Sequence, residues 1–143
     1  MCIFCRIAAH ELPASIIYEN EKTMAFLELQ PITPGHIIVI PKMHADSFCE
    51  LVEEDVAGLM RVGQMMDRAL QASALECEGV DLILADGRAA GQDVGHVHLH
   101  VFPRFEGDEF ELNITDDSRK PIGREALDEN TRLIKWALEN IGH

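Results

Sequence analysis

Histidine and aliphatic residues alternate along one short stretch of the chain, His96-Val97-His98-Leu99-His100-Val101-Phe102. Successive side chains on a β-strand point to opposite faces of the sheet, so this stretch predicts a strand over His96–Phe102. On that strand the aliphatic side chains face a core, and the three imidazoles share the other face. The chain is therefore expected to fold around a sheet that is packed on one side and carries a row of histidines on the other.

Short β-branched runs predict the remaining strands. Residues 16–18 and 23–29 are expected to pair as an antiparallel hairpin across the polar stretch between them. Residues 36–40 predict a mostly buried strand that ends at a proline, and residues 79–85 predict the strand that precedes the histidines.

Two helices complete the predicted architecture. Apolar residues at 3.6-residue spacing indicate a long helix over about Ser47–Ser73, in which Ser47 and Glu50 have capping-box spacing. The tail predicts a second helix through Leu127, Ile134, Leu138 and Ile141. The order β-β-β-α-β-β-α with short connections favours one α+β domain over residues 1–143, built on an antiparallel sheet.

Charge and composition limit the partners of the chain. Its 143 residues include 12 Lys and Arg against 25 Asp and Glu, a formal net charge of −13, which argues against nucleic acid and against a membrane surface as partners. No signal-peptide pattern is present and no segment approaches ~18 consecutive apolar residues, so a cytoplasmic location is expected. Cysteines stay reduced there, so Cys2-x-x-Cys5 indicates a metal or redox site rather than a structural disulfide.

The spacing of the three histidines separates two kinds of chemistry. Neighbouring imidazoles on one strand face stand ~6.6 Å apart, and the outer two ~13 Å apart. A Zn²⁺ ion with ~2.0 Å bonds to nitrogen can take two neighbours, whereas binding all three requires strongly converging side chains. A row of imidazoles suits a phosphate-bearing substrate better, because one imidazole can attack phosphorus while its neighbour donates a hydrogen bond or proton. The remaining alternative is a solvated strand face that is merely rich in histidine.

The loop Asp86–Gly95 runs directly into the histidine strand. Its glycines, Gly87, Gly91 and Gly95, allow backbone N–H groups to come close to a phosphate. The same composition is also typical of an ordinary loop, but the position of this one favours a phosphate-binding role.

These motifs together resemble the histidine-triad (HIT) superfamily, and in particular its small bacterial nucleoside phosphoramidase branch. The resemblance covers most of the chain. It implies a five-stranded antiparallel sheet with one long helix and a C-terminal helix, and a homodimer. The residues that carry it are Gly91-Gln92 before His96–Phe102, Cys2-Ile3-Phe4-Cys5, Ala25-Phe26-Leu27-Glu28, Pro34-Gly35-His36, Val39-Ile40-Pro41-Lys42-Met43-His44 and Phe102-Pro103-Arg104-Phe105.

The resemblance also implies an activity. His98 would attack the α-phosphorus of a purine nucleoside 5′-phosphoramidate or related phosphoester, and water would then release the nucleoside monophosphate from a covalent nucleotidyl-histidine. His100 would contact the phosphate, while the carbonyl of His96 would accept a hydrogen bond from His98 Nδ1–H. The implied catalytic residues are His96, His98 and His100, and the implied nucleotide-binding residues are Glu28, Gly91, Gln92, Asp93, Val94, His98 and His100.

Cysteine-bearing members of the family bind Zn²⁺, so the resemblance further implies a structural zinc site. Its ligands would be Cys2, Cys5, His44 and His96. A Cys₂His₂ set completes a tetrahedral site and leaves His98 and His100 for the substrate. An unmetallated N-terminal cysteine pair is the alternative, because terminal segments fray.

Three residues depart from the family pattern. Glu28 stands where an Asp usually binds the ribose, Ala85 where a phosphate-contacting Asn is common, and Asp93 where Ser or Thr is common. A carboxylate at position 93 disfavours a nearby phosphate unless it points away or is protonated. Two other functions stay open. One is a zinc-dependent hydrolase whose histidines hold a catalytic metal that activates water, and the other is a nucleotide-binding regulatory module with incidental catalysis.

Overall fold

The computed structural model of the protein describes residues 2–112, 114 and 118–142. The chain divides into two compact units, Met1–Phe110 and Glu111–His143. The expectation of a single domain over residues 1–143 stays a prediction.

The first unit contains the predicted sheet. Over residues 2–110 five strands form one sheet in the order β1-β2-β3-β5-β4, and every neighbouring pair is antiparallel. The five-stranded antiparallel sheet is thereby confirmed, and no strand boundary differs from the predicted one by more than three residues. The strands are β1 (Ile16–Glu19), β2 (Thr23–Leu27), β3 (Ile37–Pro41), β4 (Gly79–Ile83) and β5 (Leu99–Arg104).

Different helices cover the two faces of the sheet. The long helix α2 (Glu53–Ala72) packs on one face, where its Leu59, Val62 and Met66 meet the predicted aliphatic row, Val97, Leu99 and Val101. A Cβ at Gly63 of α2 would lie 2.7 Å from Leu99 Cδ2, so the missing side chain brings α2 close to β5. The opposite face carries a short helix, α1 (Ile3–Ala8), whose Phe4 and Ile7 pack on Met24, Phe26, Ile38 and Ile40.

The histidine strand begins later than predicted. The prediction spans His96–Phe102, but β5 spans Leu99–Arg104. The physical reason is that the Val97 N–H bonds to the Ala45 carbonyl at 2.9 Å and the His96 N–H bonds to the Val94 carbonyl at 2.8 Å. These two amides are therefore engaged outside the β3–β5 ladder. The predicted alternation of faces still holds, because Val97 joins Leu99 and Val101 in the core under α2.

The long helix begins at Glu53 rather than at Ser47. Residues Phe48–Glu50 form a separate 3₁₀ turn, and the extended backbone of Leu51 and Val52 separates it from α2. Ser47 Oγ accepts a hydrogen bond from the Cys49 N–H and donates one to Asp86. The predicted cap therefore closes the 3₁₀ turn instead of the long helix.

Helix α1 is absent from the predicted order of elements. The Cys2 thiol sits at its N-cap position and accepts from the Cys5 N–H at 3.4 Å. Cysteine is not among the residues that usually signal a helix start, and the N-terminal pattern predicts only a metal or redox pair.

The second unit contains the predicted C-terminal helix, α3 (Arg124–Asn140). It includes Leu127, Ile134 and Leu138, which confirms the helix expected from their spacing. Ile141, which the same spacing assigns to the helix, instead follows its last residue as the C-cap, with extended backbone. No helix in the described part of the chain is both long and apolar enough to cross a membrane.

Candidate active site and metal centre

The three histidines of the alternating stretch lie on the sheet face that carries α1. The Phe4 ring of α1 contacts both the His96 ring, at a centroid distance of 5.9 Å, and the His98 ring, at 5.1 Å. The His98 and His100 rings lie 4.9 Å apart. Their surroundings nevertheless differ, because His96 is turned toward the N-terminal cysteines while His98 and His100 form a pair beside it.

The structure determines which nitrogen of His98 carries the proton in the neutral ring. Nδ1 lies 2.7 Å from the backbone carbonyl oxygen of His96, and a carbonyl can only accept, so Nδ1–H is the donor. The lone pair of neutral His98 is then on Nε2. This is the hydrogen bond that the family resemblance implies, and it presents a nucleophilic nitrogen in a fixed orientation.

A fourth histidine, His36, belongs to the same group. It lies in one of the motifs that resemble the family, but it is missing from the predicted catalytic, nucleotide-binding and metal-binding residues. The Ile32 N–H donates to His36 Nδ1 at 3.0 Å, so the ring proton of neutral His36 is on Nε2. That Nε2–H donates to His100 Nδ1 at 2.9 Å, which leaves the proton of neutral His100 on Nε2. Two-residue alternation could have found His36, because it precedes Ile38 and Ile40, which face the side of the sheet that carries α1.

Burial keeps the supporting histidines neutral. Burial first, and the charge of His100 second, lower the pKa of His36 to about 4. Burial also lowers the pKa of His100, with His98 as the next cause. Both rings therefore stay neutral at pH 7 and keep the donor and acceptor roles that their hydrogen bonds assign.

Four ligand atoms converge beside the His98–His100 pair. One atom each from Cys2, Cys5, His44 and His96 lies within 4.8 Å of all the others. His96 Nδ1 is 3.4 Å from Cys2 Sγ and 3.6 Å from Cys5 Sγ, and His44 Nδ1 is 3.2 Å from Cys5 Sγ. A tetrahedral ion with bonds of about 2.0 Å to nitrogen and 2.3 Å to sulfur needs ligand separations of about 3.3–3.8 Å. The donor set therefore fits Zn²⁺ in type, number and spacing.

The hydrogen bonds of the two histidines in this group support the same conclusion. His96 Nε2 lies 2.8 Å from the Pro41 carbonyl oxygen, and His44 Nε2 lies 2.9 Å from Asp46 Oδ1, so each ring can donate its Nε2–H outward. Each Nδ1 lone pair then faces inward, and the two Nδ1 atoms are 3.2 Å apart. Two facing lone pairs repel each other, and a cation between them removes that repulsion.

The two thiols differ in their ease of ionisation. Burial opposes ionisation of Cys2, but hydrogen bonds from Cys5 and His44 outweigh it and lower the pKa of the Cys2 thiol. Burial, followed by the neighbouring Cys2 sulfur, raises the pKa of the Cys5 thiol. The Cys2 thiol therefore ionises more readily than the Cys5 thiol, and a bound cation would stabilise the thiolate form of both.

An apolar cleft adjoins the imidazole pair through Phe4. Its lining combines aromatic and aliphatic side chains with one carboxylate, Glu28: Ile3, Phe4, Ile7, Pro13, Ala14, Phe26, Leu27, Glu28 and Leu29. Glu28 Oε1 accepts a hydrogen bond from the Gln30 N–H at 3.1 Å. The cleft therefore offers apolar and aromatic surface together with one hydrogen-bond acceptor.

The loop before the histidines is braced by one side chain. Gln92 Oε1 accepts from the Gly87 N–H at 2.8 Å, and Gln92 Nε2 donates to the carbonyls of Asp46 and Val94. Gly91 has φ +99°, a left-handed conformation that favours glycine. Gln92 thus holds the loop through its side chain, and its predicted contact with a nucleotide stays a prediction, as do those of Gly91 and Val94.

Asp93 reaches the imidazole pair from this loop. Its Oδ1 lies 3.4 Å from His98 Nε2, the nitrogen that carries the lone pair of the neutral ring. Ala85, the other departure in this region, lies two residues beyond the end of β4.

Comparison with known proteins agrees with this geometry. A family model of the HIT domain matches residues 9–107. A HIT-like protein of Mycobacterium tuberculosis is 39% identical over 137 residues, covering 96% of this chain and 92% of that protein. A Zn-bound histidine triad family protein from Mycobacterium smegmatis is 38% identical, with a TM-score of 0.73, covering 96% of this chain and 95% of that chain.

A more distant structure superposes well. A histidine triad nucleotide-binding protein from Candida albicans has a TM-score of 0.84 at 26% identity, covering 99% of this chain and 100% of that chain. The family match, the sequence identity and the structural similarity thus agree, and the chain belongs to the HIT family.

Proposed function

We propose that this protein is a nucleotide hydrolase or nucleotidyl transferase that cleaves purine nucleoside 5′-phosphoramidates or related phosphoesters at the α-phosphate. The observation that carries the proposal is the hydrogen bond from His98 Nδ1–H to the His96 carbonyl, because it places a lone pair on His98 Nε2. A nucleophile held by its other ring nitrogen is typical of covalent catalysis by histidine.

The proposed reaction has two steps, each at the α-phosphorus. In the first step the Nε2 lone pair of His98 bonds to phosphorus while the bond to the leaving group breaks, and the leaving group takes that electron pair and a proton from solvent. In the second step water bonds to phosphorus, the phosphorus–Nε2 bond returns its electron pair to His98, and the water gives up a proton to solvent. The products are a nucleoside monophosphate and the free amine or alcohol.

His36 and His100 act together on the phosphate in this proposal. The hydrogen bonds from Ile32 to His36 and from His36 to His100 leave an Nε2–H on neutral His100. That donor can stabilise the negative charge that develops on the phosphoryl oxygens. His36 is a positioning residue, because it acts on the substrate only through His100.

The apolar cleft is the proposed site for the nucleoside. Phe4 and Phe26 supply aromatic faces for a purine, and Glu28 supplies an acceptor for the ribose hydroxyls. Gly91, Gln92 and Val94 would form the phosphate side of the site, with Gln92 acting mainly by holding the loop.

We also propose that Cys2, Cys5, His44 and His96 hold a structural Zn²⁺. The donor geometry described above supports this, and the similar Mycobacterium smegmatis protein is Zn-bound. The ion would crosslink α1, the segment after β3 and the start of the histidine stretch. Four protein donors complete a tetrahedral site, which argues against the zinc-dependent hydrolase, since that mechanism needs an open position for water.

The homodimer and the cytoplasmic location belong to the proposal as well. Both rest on the family resemblance and the composition. Light scattering coupled to size-exclusion chromatography tests the first, and a mass near 32 kDa, twice the 16.0 kDa of the chain, is expected.

Replacing the nucleophile tests the proposed function. His98→Ala should lower kcat/KM for adenosine 5′-phosphoramidate by about a thousandfold or more, because it removes the atom that attacks phosphorus. His10→Asn is the matched control, since His10 is an exposed histidine that contacts Glu19 outside the site. Retention of more than a tenth of the wild-type kcat/KM by a folded His98→Ala variant would exclude His98 as the nucleophile.

A further inference from the structure

Asp93 places a carboxylate next to the atom that attacks phosphorus. Its Oδ1 is 3.4 Å from His98 Nε2, and 76% of its side-chain surface is exposed. An ionised carboxylate accepts hydrogen bonds and donates none. Any phosphoryl group brought to Nε2 must therefore lie beside a group that repels its oxygens, unless a hydrogen-bond donor lies between them.

The position of Asp93 limits which part of the substrate can supply such a donor. Glu28 lines the apolar cleft that is proposed for the nucleoside, whereas Asp93 is not among the residues that line it. With the nucleoside in the cleft, the substituent of phosphorus that remains near Asp93 is the leaving group. Reacting atoms stand about 3–3.5 Å apart before attack, so an in-line leaving atom lies about 5 Å from Nε2, within reach of a carboxylate that flanks the phosphorus.

The charge of the leaving group then decides how Asp93 acts. An amine leaving group carries N–H that can donate to the carboxylate, and any positive charge on it is attracted. A phosphate leaving group, as in a dinucleoside polyphosphate, brings further negative charge to the same place and offers no donor. Two substrates with the same nucleoside thus meet opposite interactions at one residue.

We propose that Asp93 is a specificity-determining residue that favours amine leaving groups over phosphate leaving groups. This inference rests on the proposed function, since it assumes that His98 attacks the α-phosphorus.

The test compares kcat/KM for two substrates that share adenosine, namely adenosine 5′-phosphoramidate and diadenosine tetraphosphate. Asp93→Asn removes the charge and keeps the size of the side chain. Asp93→Ser removes the charge and also makes the side chain smaller. Each should lower the phosphoramidate-to-polyphosphate ratio by about tenfold, mainly by raising kcat/KM for the polyphosphate. Asp93→Glu keeps the charge and should keep a ratio close to that of the wild type.

Two further measurements separate this effect from a general change in charge. Asp67→Asn removes one carboxylate from α2, on the opposite face of the sheet, and should leave the ratio unchanged. Raising the ionic strength should reduce the difference in ratio between wild type and Asp93→Asn, because salt screens the repulsion.

The outcomes distinguish this inference from the function on which it rests. If wild type turns over both substrates and the ratio is the same in Asp93→Asn and Asp93→Ser, Asp93 does not select leaving groups, while the proposed function stands. Equal losses on both substrates also overturn the inference, because they indicate a structural role. If wild type turns over neither substrate, the inference and the proposed function both fall.

Discussion

Backbone groups determine the proton positions of the three histidines around the candidate reaction centre. The His96 carbonyl orients His98, and the Ile32 amide orients His36, which in turn orients His100. Because the backbone does not titrate, these assignments persist over any pH range in which the rings stay neutral. The result is one nitrogen with a lone pair and a neighbouring nitrogen with a proton, which are the two groups that nucleophilic attack on a phosphate requires.

The buried His36 predicts how stability depends on pH. Its folded-state pKa is about 4, lowered by burial, then by His100 and His98 and opposed by Glu28, whereas an unfolded histidine titrates near 6.5. Between these values the unfolded chain binds more protons, so the free energy of unfolding should fall as the pH falls from about 6.5 to 4 and should be flat above that window. Protonation of His36 can lower the free energy of unfolding by up to about 3 kcal/mol.

Denaturant titrations at several pH values measure this dependence. His36→Gln should be less stable than wild type at pH 7, because it alters two hydrogen bonds, but its stability should fall less steeply below pH 6.5. His10→Asn, which removes an exposed histidine, should keep the wild-type slope. Parallel slopes for wild type and His36→Gln would show that His36 does not carry the effect.

At the scale of elements, periodicity predicts which side chains share a face better than it predicts where an element starts. The alternation in the histidine stretch correctly separates Val97 and Leu99 from His98 and His100. The starts of β5 and α2 depend instead on hydrogen bonds to residues distant in sequence. The Val97 N–H donates to the Ala45 carbonyl, and the Ser47 hydroxyl donates to the Asp86 carboxylate. No local pattern contains those partners, so the predicted starts are wrong.

Helix α1 shows a similar limit. Its six residues are too few to give a clear period, and its N-cap is the thiol of Cys2. The packing of Phe4 against Phe26 and His98 stabilises it, together with the proposed metal site. A short helix of this kind depends on tertiary contacts and not on intrinsic propensity.

Removing the metal should therefore affect α1 first. Protein purified without chelator should contain about one Zn²⁺ per chain, and chelation should lower Tm by several degrees, since each ~1 kcal/mol lost lowers Tm by about 4 °C in a chain of this size. Amide hydrogen exchange in α1 should become faster after chelation, while exchange in α2 should change less.

Cysteine variants locate the metal. Cys5→Ser should lose the bound zinc, whereas Cys49→Ser changes an exposed cysteine outside the four-ligand group and should retain it. A zinc-to-chain ratio near zero in wild type that does not rise when zinc is added would contradict the proposed site.

For the whole molecule, the site residues that were predicted from the sequence differ from His36, which was not, in how far their place in the site depends on the tertiary fold. The alternating histidines, Cys2 with Cys5, and Glu28 lie in local motifs that match a known family. His36 also lies in such a motif, and alternation places it on the same face as Ile38 and Ile40, but only the pairing of β3 with β5 brings it beside His100. Its hydrogen bond to His100 could therefore not be predicted until the strand order was known.

The net charge of −13 also acts on the molecule as a whole. An acidic protein repels anionic substrates at long range, so binding of a phosphate must depend on local donors such as the Nε2–H of His100. Among nucleotides, those with few phosphates suffer least from this repulsion. The global charge therefore favours the same substrate class as the carboxylate of Asp93.

The central claim, that His98 forms a covalent bond to the α-phosphorus, is tested most directly by trapping the intermediate. Wild-type protein in excess is mixed with adenosine 5′-phosphoramidate labelled at phosphorus, the reaction is quenched without acid, and the peptides are mapped by mass spectrometry. We expect a transient adenylyl group on His98, absent in His98→Ala and present in His10→Asn. Turnover of the substrate with no adduct at any time under these single-turnover conditions would contradict it.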